Sequence, residues 1–252
     1  MFLEASGLVT GGFVVLPVVI AAGFIAACAW AGQRLGEAVT VRRRRTLRLG
    51  SAVTAWLVLT GLIAASGVLR RVDVRPPPFA VFVLAIVVVG VVVPYSSLGT
   101  LLVRGLPLWV LVGFQAFRLP LELVMHRAYV EGIMPVQMSY SGRNYDILTG
   151  ISAAVLGVWL ARASVPRWVV GLWNVVGFAL LVNVVAIAVL STPLFRWFGD
   201  EQLNTFVTYP PFVWLPTVLV TAALMGHVLV WRRLAGTHSV PATAFPKAAR
   251  SG

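Results

Sequence analysis

The chain has 252 residues, of which 59% are hydrophobic and only 11% carry a charge. A soluble domain has about 25% charged residues, so this composition excludes a water-soluble globule, which would expose too much apolar surface. The formal net charge of +12 is typical of a membrane protein with basic cytoplasmic loops. The sequence therefore predicts an all-α, polytopic membrane protein.

Seven apolar segments are long enough, or nearly so, to cross a hydrocarbon core of about 30 Å. They are 8–31, 49–69, 79–98, 106–129, 146–163, 168–190 and 212–231. Pro94 weakens the third segment, charges interrupt the fourth after Phe117, and the fifth is short. We predict one domain of seven transmembrane helices, 1–234, followed by a disordered cytoplasmic tail, 235–252.

The segment 33–48 sets the predicted orientation, because arginine-rich loops stay in the cytoplasm. It holds one acid, Glu37, and six arginines: Arg34, Arg42, Arg43, Arg44, Arg45 and Arg48. The N-terminus is therefore predicted outside and the C-terminus inside. We interpret the run 42–45 as an orienting patch that contacts lipid headgroups, with no nucleic-acid partner.

The fourth segment carries the most informative polar pattern. Four polar residues, spaced by three, four and four positions, fall within roughly 80° of one helical face: Gln115, Arg118, Glu122 and His126. A charge at this depth costs at least about 2.5–3.5 kcal/mol and normally faces protein or a water-filled cavity. The polar face is therefore predicted to line a cavity that begins near mid-membrane and opens outward.

The spacing of Arg118 and Glu122 predicts an ion pair within one helix, since residues four apart are neighbours. Pro120 lies between them and cannot donate to the carbonyl of Ala116, so a kink is expected there. Two interpretations stay open for this pair. It either belongs to a ligand site or only fastens the helix to its neighbours.

The connection 131–146 follows the outer end of this polar face and contains the turn-forming Gly132, Pro135 and Gly142. Asn144 and Asp146 are suitable N-cap residues for the fifth helix. Arg143, beside that N-terminus, would add positive charge to a site where backbone N–H groups can bind an anion. The connection is predicted to be a loop that could fold inward as a lid. Asn183, in the outer half of the sixth segment, is added to the candidate site, although hydrogen bonding between helices is its more ordinary role.

Several cofactor chemistries find little support in the sequence. A retinal Schiff base needs a buried lysine, and the only lysine is Lys247 in the predicted tail. His126 and His227 are predicted near opposite ends of the membrane, so a metal or haem between them is not expected. A copper(I) site stays open as a minor alternative, because thioethers and an imidazole lie close in sequence at Met125, His126, Met134 and Met138.

The leading hypothesis is a protein that binds or transports a small anionic or lipid-like ligand in a polar pocket in the outer half of the membrane, with proton linkage through Glu122 and His126. The alternatives are a membrane-embedded enzyme acting on a lipid or isoprenoid, and a structural subunit of a larger membrane complex. Membrane lipids and a homo-oligomer are the other partners considered, and no metal or cofactor is assigned. The predicted ligand-binding residues are Gln115, Arg118, Glu122, His126, Arg143, Asn144, Asp146 and Asn183.

Two motifs, 117–122 (FRLPLE) and 142–150 (GRNYDILTG), resemble the central signature of a family of uncharacterised bacterial seven-span membrane proteins. Further similar stretches are 173–183, 191–193 and 211–216, so the resemblance extends over about half of the chain, roughly 106–230. It implies a multi-pass protein of the bacterial cytoplasmic membrane. It carries over no activity and no catalytic residue.

Overall fold

The computed structural model describes residues 5–236, and all regular secondary structure within them is helical. Nine α-helices follow one another within the described range: α1 Gly7–Arg34, α2 Val39–Ala65, α3 Pro78–Tyr95, α4 Ser97–Gly105, α5 Leu108–Gly113, α6 Arg118–Val130, α7 Ile147–Arg162, α8 Arg167–Leu190 and α9 Thr221–Ala235. A 3-10 turn, Phe114–Phe117, joins α5 to α6 into one rod, and a π-helical turn, Leu215–Val220, leads into α9. The predicted tail, apart from Ala235 and Gly236, lies outside the described residues.

Six helical stretches within residues 5–236 are long and apolar enough to cross a membrane: α1, α2, α3, the α5–α6 rod, α8 and the π-helical turn with α9. The segment predicted as the fifth span forms α7, which has only 16 residues. At 1.5 Å per residue α7 is about 24 Å long, shorter than the hydrocarbon core. The helical fold and its membrane character are thus confirmed, whereas seven spans and the orientation of the termini stay predictions.

Side-chain contacts define two ends of the bundle. At the Glu131 end, the start of α1 meets the end of α6 through a hydrogen bond from Ser6 N to Glu131 Oε2 of 2.9 Å, and the connections 66–77, 131–146 and 191–214 lie together. At the Glu37 end, α4 lies between the end of α1 and the end of α9: Gly105 packs on Ala31, and Arg233 donates to the Val103 carbonyl at 2.8 Å.

The outer surface of the helices is apolar. Large side chains such as Leu84, Val155 and Leu172 are exposed by 64%, 65% and 57%. Soluble proteins rarely expose so much apolar surface to water, whereas the hydrocarbon of a membrane solvates it favourably. The exposed surface therefore agrees with an integral membrane protein.

Two boundaries differ from the predicted ones for local reasons. The second helix begins at Val39, not at residue 49, so the arginine run lies on its first turns. There Glu37 accepts two hydrogen bonds from Arg45, and these contacts hold the pKa of the Glu37 carboxyl below its usual value. The third helix ends at Tyr95 because Ser96 is extended and its hydroxyl accepts from Leu98 N, which starts α4.

The Ser6–Glu131 contact makes stability depend on pH at the Glu131 end. The backbone N–H of Ser6, with a smaller contribution from Arg127, holds the pKa of the Glu131 carboxyl below its ordinary value of 4.5. A lowered folded-state pKa stabilises the protein above that ordinary value, and the contribution is lost as the pH falls through the folded-state pKa. We expect Glu131→Gln to lower the melting temperature at pH 7 and to have little effect in strong acid. A constant difference in melting temperature across this range would contradict the assignment.

Candidate functional site

The polar face of the fourth predicted span begins where the helix changes its winding. Pro120 cannot donate a backbone hydrogen bond, and the chain before it winds as the 3-10 turn Phe114–Phe117 before α6 starts at Arg118. This change of winding lies near the middle of the α5–α6 rod, whereas the kink expected at Pro120 stays a prediction. Arg118 and Glu122 are each only 1% exposed, so both point into the protein and not into lipid.

The short helix α7 explains how the connection 131–146 reaches these buried charges. Gly150 packs directly on the backbone of Arg118 and Leu119, and Gly157 packs on Gly113. α7 therefore runs antiparallel to the rod and begins about level with Glu122, roughly 12 Å from the end of α6 at 1.5 Å per residue. The connection must fold back into the bundle to reach that level, as the predicted inward-folding loop does.

Arg118 pairs with Asp146, not with Glu122 as predicted. Arg118 Nε lies 3.1 Å from Asp146 Oδ2, and both side chains are at most 5% exposed. No ion pair joins Arg118 to Glu122 within residues 5–236. The prediction was wrong because spacing along one helix cannot show a carboxylate brought in from another helix. Asp146 does occupy the N-cap position of α7, but its side chain makes no capping hydrogen bond and accepts instead from Thr149 Oγ1 at 3.3 Å.

Glu122 is held by the folded-back connection. The amide nitrogen of Asn144 lies 2.9 Å from each carboxylate oxygen of Glu122. It also donates to the Met138 carbonyl at 2.9 Å. The amide oxygen of Asn144 accepts from the backbone N–H of Asp146 at 3.0 Å. One asparagine thus fixes Glu122 and the first turn of α7 together.

His227 of α9 completes the arrangement on the opposite side of Arg118. Arg118 Nη1 lies 3.1 Å from His227 Nε2, and His227 Nδ1 lies 2.8 Å from Asn174 Oδ1. The amide nitrogen of Asn174 donates to the His227 carbonyl, so its oxygen is the acceptor for the ring. Because Arg118 can only donate, His227 must be a neutral imidazole with its proton on Nδ1.

These polar groups form a layer between two apolar clusters. One cluster contains Phe117, Leu121 and Ala223, and the other contains Val112, Val170 and Leu229. His227 lies in α9 between residues of the two clusters, and Asn174 does so in α8. We call the buried residues of this layer the polar cluster: Arg118, Glu122, Asn144, Asp146, Thr149, Asn174 and His227.

A cavity of about 440 Å³ ends on the polar cluster. Its polar lining consists of Arg118, Glu122 and Asp146, with Asn204 farther away, and its other walls are apolar residues of α3, α6, α8, the π-helical turn and α9. Arg118 Nη2 is buried and has no hydrogen-bond partner within residues 5–236. A buried donor without a partner is costly, so this nitrogen is suited to receive an acceptor from the cavity.

The eight predicted site residues divide into two groups. Arg118, Glu122, Asn144 and Asp146 come together in the polar cluster. The other four lie elsewhere. Gln115 donates to the Ala223 carbonyl at 2.9 Å and does not line the cavity, while His126 contacts the hydroxyls of Ser139 and Ser141 and stacks on Tyr140. Arg143 is exposed over the Phe198 ring, and its carbonyl accepts from Asn183.

The four potential copper ligands have different surroundings, and the copper(I) site stays an alternative from the sequence. Met125, Met134 and Met138 are buried in the same apolar cluster, whereas the Nδ1 atom of His126 faces Ser139 and Ser141. Among residues 5–236 there is also no group of three or more His, Cys, Asp or Glu side chains arranged to hold a metal ion.

Sequence reasoning missed His227 and the role of Asn174. Counting from Phe212 put His227 near the end of its span, but the helical stretch runs from Leu215 to Ala235, so His227 lies well inside it. A polar residue within an apolar helix was the available signal. Nothing in the sequence showed that its partner would be Arg118, 109 residues away.

Comparison of the chain with protein-family models, with curated proteins and with solved structures found no match in any of the three. The resemblance to uncharacterised bacterial membrane proteins therefore stays an expectation from the sequence. The polar cluster and its cavity are the basis for assigning a function.

Proposed function

We propose that this integral membrane protein binds a lipid-like molecule that has a long apolar body and one polar head. The observation that carries the proposal is the cavity of about 440 Å³ with apolar walls and a charged end. A site of this kind buries an apolar ligand and fixes its orientation through few polar groups. The head would accept a hydrogen bond from Arg118 Nη2.

The charges at the end of the cavity favour an uncharged head over the free anion considered from the sequence. Arg118 is already paired with Asp146, and Glu122 lies beside it as a second carboxylate. An added anion would face two acids and one base in a medium of low dielectric constant. A hydroxyl or carbonyl oxygen satisfies Arg118 Nη2 without adding charge, as in a long-chain or isoprenoid alcohol or ketone.

The proposed orientation keeps the Glu37 end in the cytoplasm, because its arginines follow the positive-inside rule. The Glu131 end and the cavity would then lie toward the outer leaflet, as expected in the cytoplasmic membrane of a bacterium. α7 would reach the middle of the membrane from the cytoplasmic side, and the connection 131–146 would complete the seventh crossing.

Filling the cavity should abolish binding without touching the polar cluster. Ala188 lines the cavity and Ala179, on the same helix, is exposed and does not. We expect hexadecanol to raise the melting temperature of the purified protein and of Ala179→Phe, but not of Ala188→Phe. The alcohol should bind roughly ten- to a hundredfold more tightly than hexadecane, because a hydrogen bond to a charged donor contributes about 1.5–3 kcal/mol.

Two outcomes of this experiment would count against the proposal. Equal stabilisation of Ala188→Phe and Ala179→Phe would show that the molecule binds outside this cavity. Equal effects of hexadecanol and hexadecane on the parent protein would show that Arg118 does not recognise a polar head.

A further inference from the structure

A second cavity, of about 560 Å³, opens at the Glu131 end of the bundle. Its walls come from the turn 69–72, the first half of α3, and the chain segments 189–195 and 204–209. The α3 wall is apolar and includes Val83, Leu84 and Val87, a surface suited to an acyl chain.

This second cavity adjoins the one that ends on the polar cluster. Five residues line both of them: Phe79, Val83, Val87, Val189 and Asn204. We call these two adjoining cavities, which share wall residues of α3 and α8, the α3–α8 cleft; one lies at the Glu131 end of the bundle and the other ends on the polar cluster. The two ends of this cleft differ in chemistry.

Two exposed arginines lie at the rim of the second cavity. The Arg70 guanidinium lies 4.4 Å from the centre of the Tyr209 ring, and Arg71 pairs with the exposed Asp73 at 2.8 Å. These three charges leave a net positive rim. The acids of the facing connection, Asp200 and Glu201, are not among the residues that line the cavity.

Asn204 supplies an independent sign that this cavity takes a polar group. The residue is 2% exposed, its backbone N–H donates to the Ser191 carbonyl at 2.7 Å, and its amide nitrogen donates to the Ala188 carbonyl at 3.1 Å. These contacts fix the amide, yet its oxygen has no hydrogen-bond partner within residues 5–236. Buried acceptors in proteins are normally hydrogen-bonded, so this oxygen is suited to a donor such as a hydroxyl.

We propose that the mouth of the α3–α8 cleft binds an anionic phospholipid whose headgroup carries a hydroxyl, the chemistry of phosphatidylglycerol. Arg70 and Arg71 contact the phosphate, the Asn204 amide oxygen accepts from the hydroxyl, and one acyl chain lies along α3. Arginine suits phosphate because its planar fork can donate two hydrogen bonds at once. The site does not require a ligand at Arg118 and so stands apart from the proposed function.

The test is lipid retention by the full-length protein. Protein in micelles with equal amounts of phosphatidylglycerol and phosphatidylcholine of the same acyl chains is examined by native mass spectrometry. We expect the parent protein to retain phosphatidylglycerol in preference to phosphatidylcholine. In Arg70→Gln/Arg71→Gln the ratio of the two retained lipids should fall by on the order of tenfold, because each arginine near an anionic headgroup adds modestly to the binding free energy. The matched control is Arg75→Gln/Arg196→Gln, which removes two arginines from the same end of the bundle.

The control should keep the parent's preference, because Arg75 and Arg196 do not line the cavity. Arg70 and Arg71 are exposed, so their removal leaves the fold intact, and a matching melting temperature checks this. Equal retention of the two lipids by the parent protein, or an equal loss in both double variants, would overturn the proposal. Displacement of the lipid by inorganic phosphate alone would also overturn it, since the site would then bind free phosphate.

Discussion

Replacing Arg118 by methionine is expected to lower the free energy of unfolding by about 3–5 kcal/mol. Methionine keeps an unbranched apolar stem in place of the arginine stem, so the loss comes mainly from the charge. Asp146 would be left buried without its partner, and His227 Nε2 would lose its donor. A buried charge without compensation is among the most destabilising changes in a protein.

Unfolding in mixed micelles with increasing denaturing detergent measures this loss. The matched control is Arg196→Met, because Arg196 and Asp200 form an exposed pair at 2.8 Å, and such pairs contribute about 0–1 kcal/mol. Arg118→Met/Asp146→Asn removes both charges and should be more stable than Arg118→Met alone. If Arg118→Met and Arg196→Met cost the same, the buried pair does not hold the helices together.

Local sequence patterns were sufficient to predict the class of the fold and the element that carries the site. Apolar segments of about 20 residues require helices in a membrane, and the spacing from Gln115 to Glu122 put the polar groups on one face. The 3-10 turn Phe114–Phe117 lies just before Pro120, where the sequence predicts a kink. These are properties of one helix at a time.

The partners within the site could not be predicted, because they depend on how helices pack against one another. Asp146 and Asn144 were recognised as capping residues, but only the return of the connection 131–146 into the bundle brings them to Arg118 and Glu122. The role of His227 depends on the position of α9. His126 shares the helical face with Arg118, yet its ring contacts the hydroxyls of Ser139 and Ser141 in the connection. The polar face of the helix extends beyond the polar cluster, so not every residue on it belongs to the site.

The number of membrane crossings likewise depends on packing as well as on the sequence of each helix. Hydropathy found a fifth apolar segment, but its length alone could not show that α7 begins inside the bundle. That level is set by the contact of Gly150 with the α6 backbone. The lack of a side chain at this residue is therefore what allows Asp146 to reach Arg118.

Gly150→Ala should test this dependence, with an expected loss of about 2–3 kcal/mol in the free energy of unfolding. A Cβ atom at residue 150 would lie 3.0 Å from the carbonyl carbon of Arg118 and closer still to the backbone nitrogen of Leu119. Backbone atoms cannot rotate away, so α7 must move from the rod. The matched control is Gly23→Ala in α1. A Cβ there would have no neighbour within 4 Å among residues 5–236, and alanine's greater helix propensity should give a neutral or stabilising effect.

A double-mutant cycle separates crowding of the helices from loss of the ion pair. If a shift of α7 in Gly150→Ala already draws Asp146 away from Arg118, then adding Arg118→Met should cost much less than it does in the parent protein. Residues that share a backbone shift couple in this way, by about 0.5–3 kcal/mol. Additive losses, measured in the same micelle unfolding experiment, would mean that the Arg118–Asp146 pair survives the displacement and that the position of α7 does not control the site.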